Sequence, residues 1–255
     1  MSAPLRYRVA DQVATLLLDR PEKRNALSRE LVAALAEALE LAGGDDRVRV
    51  IALRGAGSDF CSGADLAELE RMATLGPEEN LADAQRLGDL FVRMRRSPKP
   101  VVAVVHGRAL AGGCGLATAC DLVLASSDAE LGYPEVHLGF VPAMVMAILR
   151  QRLPQGRAFE LAALGERVGA AEAERIGLVD RVFPVESFNA DADAYLARLA
   201  SRPPSAVSLT KRLFHGLDGA SFEDAIARGA EVNALARTTA ECREGVRRFL
   251  ERPSR

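Results

Sequence analysis

Little in this 255-residue chain is lopsided. Lysine and arginine number 33 against 35 aspartates and glutamates, a formal charge of −2. The broad basic or acidic excess of a protein that grips nucleic acid or an anionic membrane is therefore missing. No apolar run approaches the roughly 18 residues that a membrane span needs. The opening residues, Met1-Ser2-Ala3-Pro4-Leu5-Arg6, lack the apolar stretch of an export signal. Four cysteines, Cys61, Cys114, Cys120 and Cys242, show no metal-type pairing, and three of them sit in apolar or glycine-rich surroundings, as small buried thiols do. There is no low-complexity tract and no clean repeat. These absences predict a cytoplasmic protein in reducing surroundings, with no metal, no nucleic-acid partner and no membrane attachment.

What is present is an alternation of short strands and helices. The length suffices for one large core, or for one core with a helical appendage. Val13–Leu18 reads as a strand and is followed by the polar turn Arg20-Pro21-Glu22-Lys23-Arg24-Asn25. Ser28 is placed to cap a helix whose face carries Leu31, Val32, Leu35 and Leu39. Further strands are predicted at residues 48–53, 101–105 and 122–125. Residues 68–96 are charged and helical in pattern, broken at Gly76-Pro77, as either a cover over a site or a solvated helix pair. From Pro142 onward the pattern is almost wholly helical. Strands first and helices last predict an α/β core followed by a helical region.

Two turns carry candidate chemistry. The apolar run ending Val104-Val105-His106-Gly107 leads into Ala109-Leu110-Ala111-Gly112-Gly113-Cys114-Gly115, and the strand before it leads into Phe60-Cys61-Ser62-Gly63-Ala64-Asp65-Leu66. Glycine at a strand-to-helix joint lets a backbone N–H approach a ligand closely. Two such turns can aim two amides at one developing oxyanion, although turns of this kind also serve packing alone. Tyr133-Pro134-Glu135 adds a carboxylate among apolar Val136, Leu138 and Phe140. Burial there raises its pKa and suits it to proton transfer, the alternative being a surface glutamate or half of an ion pair.

Seven segments in order carry a family resemblance. They are Asp19-Arg20-Pro21 through Asn25-Ala26-Leu27-Ser28; residues 60–66; Val105-His106-Gly107 through Gly112-Gly113-Cys114-Gly115 to Cys120-Asp121; Gly132-Tyr133-Pro134-Glu135-Val136 with Leu138-Gly139; Ala170-Ala171-Glu172-Ala173; Gly177-Leu178-Val179-Asp180; and Glu244-Gly245-Val246-Arg247-Arg248-Phe249-Leu250. Over nearly its whole length the chain resembles the enoyl-CoA hydratase/isomerase, or crotonase, family. The resemblance implies an α/β crotonase-like spiral of ββα turns over residues 1–195, and a helical C-terminal region over 196–255 that makes a homotrimer or a dimer of trimers. It implies acyl-CoA thioester substrates, with coenzyme A entering as part of the substrate and no separate cofactor. The thioester oxygen would be held by the amides of Ala64 and Gly112; loss of one such donor typically costs about 2.7–4 kcal/mol of transition-state stabilisation. Substrate contacts would fall on Arg24, Ala26 and Ser62, with Ala64, Asp65, Leu66 and Ala67 lining the pantetheine and thioester.

One departure separates the chain from the family's hydratases. These carry two glutamates; the second maps to Glu135, and the first maps to Gly115. One carboxylate suffices to move a double bond from the 3-enoyl to the 2-enoyl position, and family isomerases keep only this second glutamate. The expected activity is thus isomerisation with Glu135 as the proton shuttle. The alternatives are 2-enoyl-CoA hydration with a water ordered near Gly115 by backbone or by His137, and a non-catalytic acyl-CoA-binding or assembly subunit. His137, two residues after Glu135, would share its direction in an extended segment; His106 and Asp121 read as structural. Met144, Val145, Met146 and Ile148 are expected to line an acyl pocket or to form ordinary core.

Overall fold

The computed structural model describes residues 3–251; Met1, Ser2 and residues 252–255, which include the end of the expected C-terminal region, lie outside the described residues. The framework is a six-stranded sheet built from β1 (Leu5–Ala10), β2 (Val13–Leu18), β3 (Val50–Gly55), β4 (Val101–Val105), β6 (Leu122–Ser126) and β9 (Arg181–Phe183), in that spatial order. β1 and β2 form an antiparallel hairpin and every later pairing is parallel. A second sheet pairs three short strands, β5 (Arg108–Leu110), β7 (Glu130–Gly132) and β8 (Arg167–Gly169). The single bridges Leu27–Ala64 and Cys61–Ala109 extend this second ribbon through the earlier turns of the chain. β2, β3, β4 and β6 are each followed by a short segment paired with that of a neighbouring turn and then by a helical stretch, which makes the spiral of ββα turns.

Parallel strands covered on both faces need apolar side chains at every position. β4, Val-Val-Ala-Val-Val, is buried throughout. Its Val101, Ala103 and Val105 join one core with Leu16, Ile51, Leu53 and Val123, beneath α1 (Arg29–Gly44), α3 (Pro77–Arg96) and α4 (Gly112–Thr118). Its Val102 and Val104 face the other way, against Val50, Ala52 and Leu124. Ser28 accepts a hydrogen bond from Leu31 N at 3.3 Å and starts α1, which buries Leu31, Leu35, Ala38 and Leu39. The charged stretch splits where Gly76-Pro77 predicted, into α2 (Leu66–Met72) and α3. Arg29, Arg71 and Arg86 all donate to Asp83, a knot joining α1, α2 and α3.

The remaining helices are α5 (Val145–Arg152), α6 (Gln155–Leu164), α7 (Ala170–Ile176), α8 (Phe188–Ala200), α9 (Pro204–Gly216), α10 (Phe222–Thr238) and α11 (Ala240–Leu250). None of the described helices is long and apolar enough to cross a membrane. The boundary expected at residue 195 falls inside α8. Phe188, Ala192, Leu196 and Ala200, spaced four apart, form a stripe that closes the second face of the sheet. α8 therefore belongs to the core, and the helices standing off it begin at Pro204.

α9 is pinned to the core at Asp121. This carboxylate accepts from Val101 N at 2.7 Å, from the buried Lys211 Nζ at 2.7 Å, and pairs with His215 Nε2 at 2.9 Å. Lys211 Nζ also donates to the carbonyls of Met94 (2.8 Å) and Lys99 (2.9 Å). Burial pulls the Lys211 pKa down, and the Asp121 charge opposes that shift without cancelling it. Removing one member of a buried pair strands the other, which typically costs about 3–5 kcal/mol. Lys211→Ala is expected to cost about 3 kcal/mol, because Asp121 keeps two other partners; urea denaturation at fixed protein concentration measures this, and a loss under about 1 kcal/mol would contradict it.

Candidate active site

The site is assembled by hydrogen bonds between neighbouring turns of the spiral. Asn25, buried and at φ 55°, donates through Nδ2 to the carbonyls of Ala56 and Asp59, each at 2.8 Å, and accepts from Arg20 N at 2.9 Å. The Arg20 guanidinium donates to Ala26 O at 2.6 Å and to Asp65 Oδ2 at 2.5 Å. Three backbone bonds then zip this loop to the next: Ser62 N to Arg24 O, Leu27 N to Gly63 O and Asp65 N to Leu27 O. Asp65 also caps α2 by accepting from Ala67 N. Burial pushes the Asp65 carboxyl up, but Arg20 and the Ala67 amide prevail and hold it below the ordinary aspartate value. The Arg24 side chain is exposed and makes no hydrogen bond or ion pair among the described residues.

These bonds bring the two glycine turns face to face. Gly63 sits at φ 99°, where L side chains are strained; a Cβ there would lie 2.9 Å from Ala111 Cβ and 3.7 Å from Gly112 N. The amides of Ala64 and Gly112 donate to no backbone carbonyl among the described residues. Gly112 opens α4, so its N–H has no partner within the helix. Before it, Ala111 is held at φ 50°, ψ −127°, a conformation of the kind that costs about 1–3 kcal/mol and persists only where its surroundings impose it. Two bonds impose it here: Ala111 N donates to Gly132 O at 2.8 Å, and Gly115 N donates to Ala111 O at 2.9 Å.

Gly132 leads directly to the candidate base. Tyr133 is fully buried and its hydroxyl shares a hydrogen bond with Thr118 Oγ1 at 2.8 Å, fixing the loop against α4. Glu135 follows in a short 3₁₀ turn, Pro134–Leu138. Its Oε2 is buried and has no hydrogen-bond partner. Burial raises its pKa above the ordinary glutamate value; a backbone hydrogen bond opposes the shift without cancelling it, and no cation does. A carboxylate in that condition holds a proton more readily than an ordinary glutamate, which suits it to proton transfer.

At Gly115 the surroundings are apolar. A Cβ built there would lie 2.5 Å from Val145 Cγ1 and 3.3 Å from Phe91 Cζ. The first glycine of α4 is lined differently: a Cβ at Gly112 would meet Leu27 Cδ1 at 3.2 Å and Leu87 Cδ2 at 3.8 Å. Leu87 and Phe91 are one helical turn apart on α3, so this helix supplies one wall of the site.

Comparison with known proteins shows the family. The family model described as enoyl-CoA hydratase/isomerase matches residues 8–254. The chain belongs to that family. A protein of Thermus thermophilus described as an enoyl-CoA hydratase is 43% identical over 244 residues, covering 95% of this chain and 96% of its own length. A crotonyl-CoA hydratase of Syntrophomonas wolfei is 32% identical over 247 residues, covering 95% and 93%. Among solved structures, an enoyl-CoA hydratase of Mycobacterium smegmatis superposes with a TM-score of 0.94 at 33% identity, covering 99% of each chain. The protein is accordingly a crotonase-fold enzyme of the hydratase/isomerase type.

Within this crotonase fold the residues expected at the site are placed unequally. Ala64 and Gly112 lie on the two facing turns, with Ala26 and Ser62 in the zipped strands behind them. Leu66 and Ala67 are exposed at the start of α2, and the Asp65 carboxylate is committed to Arg20, Lys23 and the helix cap. His137 differs from expectation. The segment is a 3₁₀ turn and not extended, so residues two apart diverge, and the His137 ring bonds Gly165 O at 3.2 Å. His106 Nε2 bonds Gly57 O at 2.9 Å, a structural role. Burial, assisted by the Glu135 carboxylate, pushes the Cys114 thiol up to about 12, which disqualifies it as a nucleophile. Sequence reasoning passed over Arg20 and Asn25 as individual residues, and over Leu27, Leu87 and Phe91 as site walls. The leucine and phenylalanine four apart on α3 were the available signal.

The Glu135 environment predicts a trade between stability and function. Because the folded state raises this pKa, it favours the protonated form. The stabilising contribution is complete below the unfolded glutamate pKa and is lost as pH rises through the folded value. Glu135→Gln is therefore expected to raise the melting temperature near pH 7, with the gain vanishing below about pH 4. Scanning calorimetry across that range checks it; an unchanged or lowered melting temperature near pH 7 contradicts it.

Proposed function

We propose that the chain isomerises 3-enoyl-CoA to 2-enoyl-CoA through an enolate, with Glu135 as the sole proton shuttle. Glu135 takes the C2 proton, the amides of Ala64 and Gly112 bind the thioester oxygen as it gains charge, and Glu135 returns the proton at C4. The observation that carries this reading is the contrast between its two carboxylate positions. Glu135 Oε2 is buried and unpartnered, whereas the first atoms around Gly115 are carbons of Val145 and Phe91. An ordered water generally needs two to four polar partners, which that environment does not favour. The free guanidinium of Arg24 suits a phosphate of coenzyme A, and residues 64–67, at the exposed start of α2, suit the pantetheine arm, Asp65 contributing through its backbone.

The names of the relatives favour a second reading, hydration of 2-enoyl-CoA. A non-catalytic acyl-CoA binder is the least supported, since it has no use for an unpaired buried carboxylate. The conjugated 2-enoyl chromophore separates all three: isomerisation creates it, hydration consumes it and a binder leaves it alone. Glu135→Gln keeps size and polarity but accepts no proton, so isomerisation is expected to fall by at least about 10²-fold. The acid limb of kcat/KM in the unaltered enzyme should lie above the ordinary glutamate pKa, as the raised value requires. Isomerisation at the original rate in the folded variant would refute the assignment.

The same reading includes a homotrimer or a dimer of trimers. Its support is the apolar surface on α9, α10 and α11, where Phe214 is 69% exposed, Phe222 76%, Phe249 73% and Leu250 75%. Such side chains cluster at protein–protein interfaces. Sedimentation at micromolar concentration is expected to give three or six times the mass of one chain; a compact monomer would overturn the assembly.

A further inference from the structure

Glycine at position 115 removes a carboxylate, but glycine alone would leave a gap. The structure fills it from two other elements. Val145 is the first residue of α5 and Phe91 lies on α3, and both are buried. Met144 continues the contact: a Cβ at Gly88 on α3 would meet Met144 Cγ at 3.7 Å. The junction of α3 and α5 therefore closes against α4 one turn beyond Gly112. The 2.5 Å approach of Val145 Cγ1 is shorter than real Cβ contacts reach. Val145 is β-branched and buried, which restricts the directions in which this methyl can swing.

From this packing we infer that Val145, backed by Phe91, is the residue that decides between proton relocation and water addition at this site. The inference rests on the reading of Glu135 as the proton shuttle. Water addition forms a C3–O bond and a C2–H bond and breaks C2=C3 and one O–H bond, so a water must be held beside C3. Isomerisation breaks C2–H and forms C4–H with the same proton. The C2–H pair becomes the new C2=C3 bond while the C3=C4 pair takes the proton, and no second reactant enters. A wall of valine and phenylalanine carbons in place of the second carboxylate permits the second course and opposes the first. Size at position 145, and not glycine at 115 by itself, is the specificity determinant.

The test compares Gly115→Glu, Gly115→Glu combined with Val145→Ala, and Val145→Ser, each assayed for hydration of a 2-enoyl-CoA and isomerisation of a 3-enoyl-CoA. Gly115→Glu alone is expected to gain no hydration, because Val145 obstructs its Cβ. The double variant regains that space and should raise the ratio of hydration to isomerisation by about 10²-fold, the lower range for one general acid–base group. Val145→Ser opens the same wall and supplies a hydroxyl to a water, so its ratio should rise as well; it decides the matter if the double variant does not fold. A folded double variant with the ratio of the unaltered enzyme overturns the inference, as does Gly115→Glu alone hydrating as fast as the double variant. An unaltered enzyme that does not isomerise defeats the reading of Glu135 instead, and the gain of hydration in the double variant still reports on Val145.

Discussion

Lateral hydrogen bonding between successive turns of the spiral is the constraint from which the site follows. Leu27 N to Gly63 O, Cys61 N to Arg108 O and Ala111 N to Gly132 O each join one short segment to the next. Together they carry position from the loop at Asn25, through Ala64 and Gly112, to the loop of Glu135. The residues involved are far apart in sequence, and none of these short strands has an independent reason to be extended. The long parallel strands beneath, buried on both faces, supply the rigidity that fixes the spacing between the turns.

The chain uses buried carboxylates in two opposite ways. Asp65 and Asp59 are surrounded by donors, from Arg20 and the Ala67 amide in one case and from Arg108 and its own backbone N–H in the other. In both, burial alone would raise the pKa and the donors reverse the sign. Glu135 is half-buried, and its Oε2 is buried with no such company. Pairing turns a carboxylate into a structural clamp, and its absence leaves one available for protons. The difference lies in the neighbours brought by other turns of the spiral, such as Arg20 to Asp65 and Arg108 to Asp59.

Legibility in the sequence followed the same division. β4 and the split between α2 and α3 could be read because continuous burial and a Gly-Pro break leave local marks. β5, β7 and β8 could not, since three residues are too few to show a period and are held by pairing alone. α8 was visible as a helix, but an apolar stripe does not name what covers it, and the sheet rather than a partner does. Glu135 and Gly115 could be singled out by position within a motif. Phe91 could be read with Leu87 as an apolar pair on a helix face, but its meeting with Gly115 could not, because it joins α3 to α4 through tertiary packing.

On the proposed function, the backbone amides of Ala64 and Gly112 have a consequence for how this site tolerates change. A side-chain catalyst is erased by a single substitution, whereas an amide donor belongs to whatever residue occupies the position, proline excepted. Drift at residues 64 and 112 therefore alters the fit of the ligand before it touches the chemistry. The vulnerable positions on that proposal lie one step away, at Gly63 and Ala111, whose positive-φ backbone sets the path of the main chain into residues 64 and 112. On that proposal the two oxyanion donors, unlike the Glu135 carboxylate, are inherited as a path of the main chain, and composition at those two positions is a secondary record of it.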